Sequence, residues 1–133
     1  MCSSDLRPVN PLQLALASGA TFVARAFSGK PKELADLIVQ GIDHRGFAII
    51  DAYSPCPTFN KVNTFKYYRD QAIELPRDHD SSNVMQAWAA AQSTDPVFLG
   101  VLYRADGEAL HKAGKHQESV DTLAKAKKIL GIQ

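Results

Sequence analysis

The chain has 133 residues, of which 45% are hydrophobic and 22% are charged, close to the averages of folded globular proteins rather than disordered ones. The 15 basic and 14 acidic residues leave a formal charge of +1, which gives no electrostatic reason to bind nucleic acid or an anionic membrane. No apolar run approaches the ~18 residues that a membrane-spanning helix requires, and only two cysteines are present, so we expect a cytoplasmic protein in a reducing compartment.

The first predicted elements are a short helix and a strand. Residues 1–6 show no periodicity and are interpreted as an irregular leader. Asn10 can cap a helix whose first turn accommodates Pro11, and Gly19 is a suitable stop. The β-branched and aromatic residues of 21–27 then predict a strand.

A second helix and a second strand complete a predicted βαβ unit. Apolar residues recur at helical spacing over 31–44, which predicts an amphipathic helix. These residues are Leu34, Leu37, Ile38, Gly41 and Ile42. Residues 46–53 form a nearly continuous apolar run, the pattern of a strand covered on both faces. A strand, helix and strand within about 35 residues predict parallel pairing with a right-handed crossover.

The rest of the chain predicts further helices and a third strand. Asn63 can cap a helix that runs through Gln71, and a polar connection over 74–83 leads to a helix around Trp88. Residues 96–103 predict a strand. Residues 107–133 predict two helices with a hinge near Gly114. The fold class is therefore α/β, with a partial parallel sheet (a βαβ unit plus a third strand) and a helical C-terminal tail.

Cys56 is the candidate functional residue. It lies in the run Ser54-Pro55-Cys56-Pro57-Thr58, just past the end of the second predicted strand, where α/β sheets bind their ligands. The flanking prolines fix the backbone on both sides. A thiol placed in this way suits a soft ligand to iron, although an iron–sulfur cluster usually needs four thiolates. The alternative is that Cys56 is a small buried hydrophobe.

Two other groups of side chains have both a functional and a structural interpretation. His79 and Asp80 could be an acid–base pair or metal ligands, but in a run of Asp and Ser they fit better as a solvated cap for the following helix. Tyr67 and Tyr68 could stack on a ligand, but packing in a core or an interface is the favoured interpretation.

Several segments, in order, resemble the β subunit of 2-oxoacid:ferredoxin oxidoreductases, most closely the type that acts on 2-oxoglutarate. The resemblance covers residues 7–105. Its matching segments are residues 7–12, 15, 17–25, 44–47, 54–60, 63–65, 68, 79–80, 96, 100 and 103–104. The resemblance implies an α/β domain that binds thiamine diphosphate with magnesium and that ligates a 4Fe–4S cluster. We therefore expect residues 7–105 to be the C-terminal part of such a domain and 106–133 to be a separate helical tail.

In that family, the cysteine of the motif similar to Pro55-Cys56-Pro57-Thr58 is the last of four cluster ligands. The resemblance therefore implies that Cys56 is the cofactor-binding and metal-ligating residue of this chain. The family's other three cysteines and its motif for magnesium and diphosphate lie upstream of the matched region. This chain has no Cys-x-x-Cys and no Gly-Asp-Gly segment, and Cys2 has different surroundings. We therefore expect a truncated reading frame or a fragment, inactive alone, without bound cofactor and without a catalytic acid or base.

The resemblance also implies an activity for the complete enzyme. Such an enzyme decarboxylates a 2-oxoacid such as 2-oxoglutarate, forms the acyl-CoA thioester and reduces ferredoxin. The expected partners are an α subunit and ferredoxin, with coenzyme A and the 2-oxoacid as substrates. The alternative is a small interaction module without catalysis, because residues 109–126 faintly resemble one tetratricopeptide-like helical hairpin; at least three such repeats are normally needed.

Overall fold

A computed structural model of the chain describes residues 9–105. The predicted leader (residues 1–6) and helical tail (residues 106–133) lie outside the described residues. The elements are α1 (Pro11–Ala17), β1 (Phe22–Phe27), α2 (Pro31–Asp43), β2 (Ala48–Tyr53), α3 (Phe65–Gln71), β3 (Ala72–Glu74), α4 (Val84–Gln92) and β4 (Val97–Arg104). The α/β class is therefore confirmed. Across residues 9–105, no helix has the length and apolar character needed to cross a membrane.

The four strands form one sheet in the order β2-β1-β4-β3. β1 and β2 are parallel, with Phe22 opposite Ala48 and Phe27 opposite Tyr53, so the predicted βαβ unit is confirmed. β4 is antiparallel to β1, and β3 is parallel to β4. The described sheet is thus mixed, and the prediction that its third strand continues a parallel sheet is wrong.

The direction of β3 and β4 follows from the end of the sheet at which these two strands begin. Ala72 and Val97, which begin β3 and β4, pack against Phe27, the last residue of β1. Both strands therefore start at the end of the sheet where β1 finishes, and they run back in the opposite direction. An apolar run predicts a strand but contains no information about this direction.

Helices cover both faces of the sheet. On one face, α1 and α4 pack with Val23 and Leu102, which are both fully buried. On the opposite face, Leu37 of α2 packs with Phe22 and Ala24. Ile49 lies against the first cluster and Ile50 against the second, so β2 has helices on both faces as predicted. The side chains of β2 are nevertheless mostly half-buried, because β2 is an edge strand of the described sheet.

Side-chain caps define where the helices begin. The Asn10 Oδ1 accepts hydrogen bonds from the backbone N–H groups of Leu12 and Gln13, both at 3.1 Å, so the predicted cap of α1 is confirmed. Its Nδ2 also donates to the Ala91 carbonyl at 2.8 Å and ties α1 to the end of α4. The cap of α3 is Thr64 rather than the predicted Asn63.

The apolar stripe of α2 is only partly used. Leu37 is buried and Leu34 is half-buried, but Ile38 and Ile42, both predicted to face the core, are 44% and 76% exposed. Within residues 9–105, α2 covers one part of one sheet face, so it has a single buried row of side chains. Ile38, Val39 and Ile42 are consequently an exposed apolar patch beside the charged residues of α2.

Candidate functional site

Cys56 lies in the loop of residues 54–64, which joins β2 to α3. The loop leaves the sheet at the carboxyl end of β2, as predicted for Cys56. The Cys56 thiol is free and exposed, whereas Pro55 before it is buried. The alternative interpretation of Cys56 as a small buried hydrophobe is therefore wrong.

The loop folds back on the sulfur atom. The backbone N–H groups of Phe59, Thr58 and Asn60 donate hydrogen bonds to Cys56, and they lower the pKa of its thiol because they stabilise the thiolate. The Asn60 N–H also lies 3.1 Å from the Cys56 carbonyl oxygen, which closes the turn. The Asn60 Oδ1 accepts from the N–H of Asn63 at 2.9 Å and orders the next part of the loop. Cys56 is thus an exposed thiol with a stabilised anionic form, the form that binds metals.

The described residues contain no complete metal site. No three His, Cys, Asp or Glu side chains within residues 9–105 come close enough together to hold a metal ion. Cys2 lies outside these residues. Within residues 9–105, Cys56 is therefore a single exposed soft donor.

Aromatic side chains surround the two ends of the Cys56 loop. The ring of Tyr53, at the end of β2, lies 5.0 Å from the ring of Tyr68 on α3. The centre of the Phe27 ring lies 5.9 Å from the ring centres of both Phe65 and Tyr68. Burial raises the pKa of Tyr68. The packing interpretation of Tyr68 is therefore confirmed. The Tyr67 ring meets the Tyr68 ring edge to face, with 5.3 Å between the ring centres, and Tyr67 is 37% exposed.

A buried cation, Arg25, lies on β1 and was not predicted as a site residue. It is 2% exposed, and its Nη2 donates to the Ala91 carbonyl at the end of α4 at 2.9 Å. Its Nε lies 3.4 Å from the Asp51 Oδ2, within ion-pair distance but without a directed hydrogen bond. The guanidinium carbon lies 5.3 Å from the centre of the Tyr53 ring. The one signal in the sequence is a charged residue in the middle of an otherwise apolar strand.

Burial and the neighbouring arginine act in opposite directions on Asp51. Burial raises the pKa of its carboxyl group, and the positive charge of Arg25 only partly offsets that effect. Burial also raises the pKa of the Tyr53 hydroxyl, and the positive charge of Arg25 only partly offsets this rise. Asp51 and Tyr53 therefore flank the Arg25 cation, which also stabilises the carboxyl end of α4.

His79 and Asp80 have structural roles. The His79 Nε2 lies 2.8 Å from the Leu102 carbonyl of β4. The Asp80 carboxylate accepts hydrogen bonds from the Ser82 hydroxyl at 2.7 Å and the Ser82 N–H at 2.9 Å, and these bonds lower the pKa of Asp80. The cap of α4 itself is Asn83. The pair therefore organises the turn before α4, with Asp80 exposed as predicted and His79 half-buried.

The comparisons with known proteins agree with this geometry. Residues 56–118 match the family model described as the C-terminal part of the pyruvate ferredoxin oxidoreductase β subunit, and the match begins at Cys56. A structure of 2-oxoglutarate:ferredoxin oxidoreductase from Magnetococcus marinus, with 2-oxoglutarate, coenzyme A and succinyl-CoA bound, superimposes with a TM-score of 0.72 and 37% sequence identity. The superposition covers 98% of this chain and 42% of that chain. This chain is similar to the β subunits of the 2-oxoacid:ferredoxin oxidoreductase family.

Curated β subunits of the family are similar to this chain over shorter ranges. The 2-oxoacid:ferredoxin oxidoreductase subunit beta of Saccharolobus solfataricus is 43% identical over 70 residues, which cover 53% of this chain and 23% of that protein. The 2-oxoglutarate synthase subunit KorB of Methanothermobacter thermautotrophicus is 42% identical over 91 residues, 68% of this chain and 30% of that protein. The chain thus spans less than half the length of each of these relatives.

Proposed function

We propose that this chain is the cluster-proximal part of the β subunit of an oxidoreductase that converts a 2-oxoacid, in particular 2-oxoglutarate, and coenzyme A to an acyl-CoA and carbon dioxide. The electrons released by this oxidation pass to ferredoxin. The proposed partners are an α subunit and ferredoxin, and the proposed location is the cytoplasm. Similarity to this family supports the reaction class, and the bound molecules of the Magnetococcus marinus enzyme support 2-oxoglutarate and coenzyme A as substrates.

One observation supports a redox role for this part of the chain. The Cys56 sulfur is exposed and accepts hydrogen bonds from the backbone N–H groups of residues 58–60. Hydrogen bonds to cysteine sulfur are among the features that set the reduction potential of iron–sulfur clusters. We therefore assign Cys56 as one ligand of a 4Fe–4S cluster. The family resemblance supports the choice of cluster, and the three remaining thiolates would come from residues outside 9–105.

The complete enzyme is proposed to bind thiamine diphosphate and magnesium as well. When bound, thiamine diphosphate supplies a carbanion-stabilising centre for decarboxylation. We assign no described residue to that cofactor. The contribution of this chain is to present the Cys56 sulfur from a rigid turn. The alternative of a tetratricopeptide-like module rests on residues outside the described range, and the family comparisons favour the oxidoreductase.

Cys56→Ser tests the assignment in this β subunit, produced with the polypeptides that complete the complex. We expect Cys56→Ser to lower the bound iron and sulfide and to abolish or change the electron paramagnetic resonance signal of the reduced cluster. Cys2→Ser is the matched control and should leave both properties unchanged. Full retention of an unaltered cluster by Cys56→Ser would overturn the assignment.

The chain alone provides a second test. Reconstitution of the chain with iron and sulfide should give no 4Fe–4S absorbance, because one thiolate cannot hold a four-thiolate cluster. The measurement is the visible absorbance together with iron and sulfide bound per chain. A stable, stoichiometric cluster in a monomer would contradict the proposal that the other ligands lie elsewhere.

A further inference from the structure

The loop that presents Cys56 is held in shape by local contacts. The Lys61 Nζ donates to the Pro57 carbonyl at 2.7 Å, and the Asn60 Oδ1 accepts from the Val62 N–H at 3.0 Å. These bonds, like those from Asn60 to Cys56, join residues no more than four positions apart. They define the turn around the sulfur, but they do not determine where the turn lies relative to the sheet.

The aromatic rings supply that longer-range connection. Tyr53 immediately precedes the loop and Phe65 immediately follows it. Tyr68, one turn into α3, contacts Tyr53 at a ring distance of 5.0 Å and Phe27 at 5.9 Å. Phe27 is 3% exposed and belongs to the adjacent strand β1, so it gives the rings a fixed base. Tyr68 thus touches the residue before the loop and the core beneath it.

We infer that Tyr68 is a positioning residue for Cys56, because its ring joins the two ends of the loop to Phe27 and so fixes where the sulfur is presented. This inference rests on the proposed role of Cys56 as a cluster ligand. A ligand must be held within about 0.5 Å of its productive position, and only neighbours whose own conformations are fixed can do this. Tyr68 meets that condition because two rings of the sheet contact it, those of Phe27 and Tyr53.

Amide hydrogen exchange on the full chain tests the inference without a cluster. The N–H groups of residues 58–60 donate to Cys56, so their exchange rates report how well the turn is held. Tyr68→Leu should accelerate exchange at these amides while the amides of β1 keep their rates. Tyr68→Phe retains the ring and should behave like the unsubstituted chain. Tyr67→Leu, the same substitution at the neighbouring and more exposed tyrosine, is the matched control and should leave the loop protected.

Tyr53→Leu covers the case in which Tyr68→Leu also loosens β1. It removes the same ring contact from the other side of the loop and leaves α3 unchanged, so it should accelerate exchange at 58–60 in the same way. The inference is overturned if these amides keep their rates in both leucine variants.

The assembled complex gives a second readout. Tyr68→Leu should broaden or shift the resonance signal of the reduced cluster, and Tyr68→Phe should restore it. An unchanged signal in Tyr68→Leu overturns the positioning role but leaves Cys56 as a ligand. Loss of the proposed ligand role is detected separately, by the iron content of Cys56→Ser.

Discussion

At the scale of single residues, Arg25 shows how a buried charge is made compatible with an apolar strand. Its guanidinium group donates hydrogen bonds to two carbonyl oxygens at the end of α4, those of Ala91 and Ser93, at 2.9 and 3.5 Å. The Asp51 carboxylate and the Tyr53 ring lie on its other sides. Buried charges are tolerated only with such partners, because an isolated one is strongly destabilising.

Arg25→Met should therefore destabilise the fold by about 3 kcal/mol, since it leaves the half-buried Asp51 carboxylate and the helix carbonyls without their cation. The free energy of unfolding in urea, followed by the fluorescence of Trp88, measures this change. Arg69→Met removes an exposed arginine on α3 and should change the stability by less than about 0.5 kcal/mol. Equal effects of the two substitutions would contradict the role given to Arg25.

Asp51 predicts a dependence of stability on pH. Its pKa in the folded chain is raised above the ordinary value of 3.8, chiefly by burial, so the folded state binds the proton more tightly than the unfolded state does. Its contribution to stability is fully present below the unfolded pKa and is lost as the pH rises through the folded pKa.

Asp51→Asn removes this titration. The stability of the unsubstituted chain should therefore fall relative to Asp51→Asn as the pH is raised from acid to neutral. Urea unfolding of both proteins over this range measures the difference, with Asp36→Asn, at an exposed site on α2, as the control. A stability difference that does not vary with pH would show that the raised pKa of Asp51 is wrong.

At the scale of elements, local signals were sufficient for most helices and strands. The Asn10 side chain accepts two backbone N–H groups, and such a cap acts within one turn of the chain, so sequence alone revealed it. β3 was missed because three residues at the end of a helix are too few to show a strand period. The direction of β4 was missed because it depends on contacts between distant residues.

The two asparagine caps differ in one respect that can be measured. Asn10 caps α1 and also donates to the Ala91 carbonyl of α4, whereas the capping bonds of Asn83 are to α4 itself. Each substitution by alanine should cost about 1 kcal/mol for the lost cap. Asn10→Ala should cost roughly 1 kcal/mol more for the lost bond between helices. Equal unfolding free energies for the two variants would contradict this difference.

At the scale of the whole molecule, the described residues leave apolar surface and sheet edges uncovered. Ile38, Val39 and Ile42 form an exposed apolar row on α2. β2 and β3 are the outer strands of the sheet. Between α2 and β4 lies a cavity of about 370 Å³, whose lining includes Glu33 and Asp36. Surfaces of this kind are typical of a part that is covered by other polypeptide in an assembly.

The chain produced alone should therefore be poorly soluble and should bind a hydrophobic dye, because open strand edges and apolar rows favour association. Replacing Ile38 and Ile42 by lysine should reduce dye binding and keep the fold, since both side chains are already exposed. Leu37→Lys, at the buried neighbour, is the control and should unfold the domain. A chain that stays monomeric at high concentration and binds no dye would contradict the expectation.

The sequence by itself determined the α/β class, the βαβ unit, the cap at Asn10 and the position of Cys56 at the end of a strand. Each of these depends on periodicity or chemistry within a few neighbouring residues. Only the tertiary structure decided that β4 is antiparallel to β1, that Arg25 donates to carbonyl groups at the end of α4 and that the Tyr68 ring contacts Tyr53 and Phe27. These features join residues far apart in the chain, and their geometry exists only once the sheet has assembled.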